Sequence, residues 1–231
     1  EGYQRLTQFS ADLAHEIRTP VGALMGHCQV ALYQPRTVEE YETLLANNME
    51  ELERISRMVE NILFLARASD ARSVLTITSI DVSSEITRIQ EYFEGLAEER
   101  EMTLHGEGRG VLQADAILFQ RALSNLVANA VRYGHEGSQV VLRAEPHDKG
   151  MDIHVISQGD PIPADKLTKL FDRFYRADAS RSEGGSSSGL GLSIVQAIMA
   201  LHQGSVSVES SAQGETRFTL SFPDASHKHS Q

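Results

Sequence analysis

The chain has 231 residues, with 21 Lys and Arg against 32 Asp and Glu for a formal charge of −11, a length that suits one large domain or two small ones with room for a core. The acidic balance argues against nucleic acid as the main partner, because phosphate binding depends on Lys and Arg. One cysteine excludes a disulfide framework, and no apolar run of about eighteen residues is present to span a membrane.

Residues 1–71 show helical spacing throughout. Leu6, Phe9, Leu13, Ile17 and Leu24 form one apolar stripe. Leu45, Leu52, Val59 and Ala66 recur every seven residues with Asn48, Ile55 and Ile62 between them, an a/d seam with one polar d position. Pro35 ends the first helix, and Thr37 with Glu40 three residues later forms a capping box for the second. Two long helices and a short turn make an antiparallel hairpin too slim to bury both stripes, so the spacing predicts a second copy and a dimeric four-helix bundle.

The period changes near Val74. A strand is predicted at Val74–Ile80, then a helix capped by Asp81 or Ser83 and running to about Arg100. Short strands follow at Thr103–His105 and Val111–Ala114, and Asp115 caps a helix to about Tyr133. Gln139–Glu145 and Met151–Ser157 pair as a hairpin, and a helix at Pro163–Leu170 leads to a Ser/Gly stretch, Ser182–Ser188, flexible by composition. A helix from about Leu190 to His202 precedes strands at Ser205–Glu209 and Thr216–Phe222. Helices interleaved with hairpin-connected strands define an α+β sandwich. The organisation is a helical hairpin over 1–71, a sandwich domain over 72–223 and a disordered tail over 224–231, hinged near Ser69–Val74.

Three constellations carry chemistry. In the run from Phe9 to Pro20, His15 lies two residues past the stripe position Leu13 and points to solvent, with Glu16 beside it and Thr19 one turn on. An exposed neutral imidazole is a nucleophile if a neighbour takes its second ring proton, which Glu16 can do; taken alone, the pair reads as ordinary polar surface. Thr19 stands where His-Glu-x-x-His needs its second histidine, so zinc is excluded there. Asn125 and Asn129 sit one turn apart in an otherwise apolar helix, where asparagine is a poor former. The Asn129 amide oxygen suits a hard cation such as Mg²⁺, or the two amides simply face solvent. The run Ser186–Ser193 leads into a helix start, a phosphate site by its free N–H groups and dipole. It lacks the Gly-Lys-Ser/Thr of a P-loop. Phe171–Arg176 precedes it, two aromatics interleaved with Arg173 and Arg176.

In this order and spacing the pieces resemble the catalytic portion of bacterial two-component sensor histidine kinases over about residues 5–222. Phe-Ser-x-x-x-x-His-Glu-Ile-Arg-Thr-Pro matches the H-box, Asn125–Tyr133 the N-box, Phe171–Arg176 the F-box, and Gly189-Leu190-Gly191-Leu192 the second glycine box. The resemblance implies a dimerisation and histidine-phosphotransfer hairpin followed by a Bergerat-type ATP-binding domain. It implies that His15 accepts the γ-phosphoryl of ATP and later passes it to an aspartate of a response regulator. Glu16 is then the base, and Thr19 orients water for the reverse phosphatase reaction. Asn129 ligates Mg²⁺ with support from Asn125, Arg132 contacts phosphates, and Tyr133 lies near the nucleoside. Phe171, Arg173 and Phe174 flank the entry to an ATP lid at Ser182–Gly189.

One box departs from the family. Where Asp-x-Gly-x-Gly is expected, the sequence reads Ser157-Gln158-Gly159-Asp160-Pro161-Ile162. Ser157 stands in place of the aspartate that accepts a hydrogen bond from the adenine amino group. The charge-assisted contact becomes an ordinary one, weaker by roughly 1 kcal/mol. Asp160 starts three residues later. This degenerate box resembles the heavy-metal-responsive branch, which includes copper sensors. His27-Cys28 and His227-Lys228-His229 read as incidental, the first because adjacent helical residues face apart.

The resemblance further implies a homodimer through the hairpin and a cytoplasmic location for this piece. Its opening on Glu1 reads as a fragment of a protein held in the bacterial inner membrane by other segments. The alternative is a degenerate kinase with weak ATP binding, acting mainly as regulator phosphatase or scaffold. A Bergerat ATPase of another class is opposed by the His15 helix and the acidic charge.

Overall fold

The computed structural model describes residues 2–68, 75–177 and 189–224, with side chains from residue 11 onward except Asp12. The expected hinge, most of the Ser/Gly stretch and the tail lie outside the described residues.

Helix α1 (Gly2–Tyr33) and helix α2 (Val38–Ala68) form the hairpin. The capping box closes reciprocally: the Thr37 N–H donates to Glu40 Oε2 at 3.0 Å, and the Glu40 N–H to Thr37 Oγ1 at 3.3 Å. Pro20 lies inside α1 and is buried. Having no N–H, it leaves the carbonyl of Glu16, the residue after His15, without its helical donor. The seam residues Leu45, Leu52 and Val59 are exposed on the single chain. His27 Nδ1 lies 2.9 Å from Asn48 Oδ1, and Asn48 Nδ2 donates to Cys28 Sγ at 3.8 Å. The neighbours His27 and Cys28 therefore do not face wholly apart, because they straddle one amide projecting from α2.

The sandwich follows. Strand β1 (Ile77–Asp81) pairs antiparallel with β3 (Val111–Asp115), and α3 (Val82–Glu98) is capped by the Asp81 carboxylate. A five-stranded sheet runs in the order β2 (Thr103–Gly108), β4 (Gln139–His147), β5 (Gly150–Gln158), β7 (Glu215–Pro223), β6 (Ser205–Ser210). The β2–β4 pair is parallel, which hairpin logic does not foresee. A parallel pair needs a crossover, and α4 (Ala116–Tyr133), which lies between them in the chain, supplies it. The expected helix at Pro163–Leu170 shrinks to one turn, α5 (Ala164–Leu167), because Pro163 offers no side-chain cap. Helix α6 (Gly191–Leu201) completes the layer. Alternate residues of β5 (Met151, Ile153, Val155, Ser157) and β7 (Thr216, Phe218, Leu220, Phe222) are buried toward α4 and α6. Phe119, Leu123, Leu126, Ile194 and Ile198 fill the space opposite.

Candidate active site

His15 is exposed on α1, Glu16 half-buried beside it, and Thr19 exposed one turn further along. The Thr19 hydroxyl bonds back to the His15 carbonyl at 3.5 Å, which holds the two on one face. Among the described residues the His15 ring makes no hydrogen bond, so both nitrogens stay available.

The other predicted residues meet in pairs, Asn125 with Gly191, Tyr133 with Gly159 and Phe174 with Gly189. Arg121, Asn125 and Asn129 follow one another at successive turns of α4. Asn125 Nδ2 donates to the Arg121 carbonyl at 2.8 Å, which fixes its Oδ1 against the start of α6. A Cβ on Gly191 would lie 2.8 Å from that oxygen, so glycine lets the N-box asparagine seat on the second glycine box. Asn129 is half-buried, and its carboxamide makes no hydrogen bond among the described residues. A neutral oxygen donor left free in this way fits a hard cation such as Mg²⁺, with phosphate oxygens completing the shell.

The C-terminal end of α4 is held from two sides. Arg100 Nη1 donates to the carbonyls of Val131 and, at 2.7 Å, Arg132, placing a cation where the helix dipole is negative. Gly134 forms a β-bridge with Gly159, and the His135 N–H donates to the Gln158 carbonyl at 2.7 Å. A Cβ on Gly159 would lie 2.8 Å from the Tyr133 carbonyl, so this glycine permits the close approach. Arg132 packs over the Tyr133 ring, 5.7 Å from its centroid. Ser157 ends the helix-facing row of β5, only 8% exposed. Asp160 instead pairs with His135 at 3.2 Å near the surface, both about half exposed.

The F-box and the second glycine box meet directly. The Phe174 N–H donates to the Gly189 carbonyl at 3.0 Å. Phe171 and Phe174 pack against the core from the partly buried shell, as does Leu192, while Arg173 is exposed. Leu190 is fully buried just before α6, and its carbonyl accepts from the Ser193 hydroxyl at 2.9 Å. Among the described residues no side chain caps α6, which leaves its first N–H groups, from Gly191 onward, open to an anion.

Sequence reasoning missed how the two halves meet. Arg121 stacks its guanidinium over Phe64 of α2, 4.4 Å from the ring centroid, and Nη2 donates to Asn61 Oδ1 at 2.7 Å. Burial lowers its pKa from the ordinary value, while the Glu60 charge opposes this. Met58 and Leu65 of α2 join the core at 1% and 2% exposure. Their seven-residue spacing, one position off the dimer seam, was the available signal. Arg100 had none, since its partners are backbone carbonyls.

A helical hairpin with an exposed histidine, joined to a sandwich with two helical asparagines against a glycine-opened helix start, defines the histidine kinase class. The His Kinase A phospho-acceptor domain matches residues 5–71, and the histidine kinase-, DNA gyrase B- and HSP90-like ATPase domain matches residues 114–226. The chain belongs to the sensor histidine kinases. Similar curated proteins include the sensor protein CzcS of Cupriavidus metallidurans, 45% identical over 96% of this chain. The sensor histidine kinase CusS of Escherichia coli is 40% identical over 96% of it. The chain spans about half the length of these relatives, 47% and 46% respectively. Among solved structures, the Acinetobacter baumannii histidine kinase AdeS superposes with a TM-score of 0.74 at 22% identity, over 90% of this chain and 97% of that one. Histidine kinase ThkA in complex with response regulator protein TrrA gives 0.75 at 23% identity, over 98% of this chain and 65% of that one. Both likenesses concern the fold. No helix among the described residues is long and apolar enough to cross a membrane.

Proposed function

We propose that this chain transfers the γ-phosphoryl group of ATP to His15 and then to an aspartate of a response regulator. The observation that carries the reading is the seating of Asn125 against Gly191, with Asn129 left free one turn on. The polyphosphate lies between α4 and the open start of α6, where Asn129 holds Mg²⁺ and Arg132 adds positive charge. Mg²⁺ supplies neutralisation of phosphate charge. A ring nitrogen of His15 attacks the γ-phosphorus, the bond to the β,γ-bridging oxygen breaks, and ADP leaves. Glu16 takes the proton from the other ring nitrogen. Such transfer is mostly positioning and charge neutralisation, which matches a site of amides, an arginine and helix N–H groups.

The hairpin dimerises through Leu45, Leu52 and Val59, and the exposed helical surface following Pro20, with the facing part of α2, receives the regulator. Thr19 orients water for dephosphorylating it. A regulator-phosphatase with weak ATP use is the second reading, favoured by Ser157 alone. We place the whole protein in the heavy-metal-responsive branch, at a bacterial inner membrane, with this piece facing the cytoplasm.

Incubation with γ-labelled ATP and Mg²⁺ tests the main reading. An acid-labile, base-stable label that vanishes in His15→Gln is expected. Label that survives the substitution overturns the role of His15, and none at saturating ATP favours the phosphatase.

A further inference from the structure

The end of β5 carries an unusual set of polar groups. Ser157 points toward the helix layer, more than nine-tenths buried, and its hydroxyl has no hydrogen-bond partner among the described residues. Its cross-strand neighbour on the same face is Thr216, also buried at 7% exposure. Thr216 Oγ1 lies 3.2 Å from Ser210 Oγ, and either can be the donor. Ser210 Oγ accepts from the Ile162 N–H at 3.0 Å. The nearest acid in the chain, Asp160, is turned to the surface and engaged with His135. The buried polar side chains at this end of the helix-facing row, Ser157 and Thr216, are therefore both hydroxyls.

A carboxylate can only accept, whereas a hydroxyl donates or accepts as its rotor turns. Opposite the 6-amino group of adenine, either will serve. Opposite a 6-oxo group, an ionised carboxylate sets oxygen against oxygen with no proton between them, while a hydroxyl turns and donates. We propose that Ser157, backed by the reversible Thr216–Ser210 pair, makes the nucleobase end indifferent to the purine 6-substituent, so that 6-oxo purine triphosphates serve as phosphoryl donors alongside ATP. This rests on the nucleotide-binding reading above, with Ser157 at the purine edge.

Inosine triphosphate is the probe, since it carries the 6-oxo edge without the 2-amino group of guanine. Its affinity and that of ATP are measured by calorimetry on the 231-residue chain, and labelling of His15 is followed separately with each γ-labelled nucleotide. The two nucleotides are expected to agree within about tenfold in affinity. Ser157→Asp should widen the gap in favour of ATP by at least about tenfold, one buried charge left facing an acceptor. Ser157→Ala, which adds no charge to the strand, should weaken both by the same factor. A preference for ATP above about a hundredfold in the unaltered chain, or a ratio unmoved by Ser157→Asp, overturns the proposal. Binding of neither nucleotide overturns it together with the reading beneath it. Binding of both without label on His15 overturns the kinase reading and, with it, phosphoryl donation from either nucleotide.

Discussion

The Phe174 N–H donates to the Gly189 carbonyl at 3.0 Å, and both residues hold left-handed backbone, φ 62° and 65°. A bulky residue pays for that conformation, roughly 1–3 kcal/mol, and keeps it only when its surroundings impose it. Here the ring is packed against the core while the backbone is tied to the residue that precedes α6 by two positions. Strain at Phe174 thus marks the junction from which α6 begins.

Gly189→Ala should undo this junction. The new Cβ would lie 2.8 Å from Phe174 Cα and its carbonyl carbon, backbone atoms that cannot step aside, at a positive φ that alanine disfavours. The expected loss is about 1–3 kcal/mol of stability in chemical denaturation, with nucleotide affinity falling further than stability accounts for. Unchanged nucleotide titration would show that the junction does not position the helix start.

Much of this was legible beforehand, for identifiable reasons. Asp81 and Asp115 announced α3 and α4 because a carboxylate before an apolar-periodic run has one dominant use. His15, Asn129 and the glycines at 189 and 191 were legible as spacing. What stayed hidden were contacts whose partners lie far along the chain. The β2–β4 register joins Thr103 to Gln139, and Arg121 reaches Asn61 across 60 residues. Phe174 gave no sign of its positive φ, since phenylalanine rarely adopts one.

The second prediction concerns Arg121. Its stack on Phe64 and its bond to Asn61 dock the ATP-binding domain on α2, and a stacked cation contributes about 0.5–2 kcal/mol. Arg121→Ala should expose Met58 and Leu65, seen as lost hydrogen-exchange protection over α2, while the sandwich keeps its own unfolding midpoint. Asn125 uses only the backbone carbonyl of Arg121, so nucleotide affinity should change by less than about threefold. Retained protection in α2 would mean that apolar packing alone holds the domains together.

His202 supplies a third. It is 6% exposed, its Nε2 accepts the Asp115 N–H at 3.0 Å, and its Nδ1 lies 2.8 Å from the Ile198 carbonyl. These partners select the Nδ1–H tautomer, and the ring packs edge-on to Phe222. His202→Phe keeps the ring but strands the Asp115 N–H at the start of α4, costing about 1–3 kcal/mol. Thermal unfolding checks it. A loss below about 0.5 kcal/mol would mean that water replaces the imidazole.

The last prediction is one of pH. At the start of α2 the Glu39 carboxylate is held below its ordinary pKa of 4.5, first by its own backbone N–H and then by Thr37. A depressed acid favours the folded state when ionised. Its contribution is therefore complete above the unfolded value and disappears as pH falls through the lower folded one. As pH falls through the ordinary value of 4.5 and below, the hairpin should lose helicity, part of that loss tracing to this turn. Thr37→Ala removes one of Glu39's partners together with the capping box, so it should lower stability by about 1 kcal/mol at neutral pH and flatten the acid-side slope. An unchanged slope with the neutral-pH loss intact would assign the effect to the Thr37–Glu40 box and leave Glu39 without a part in it.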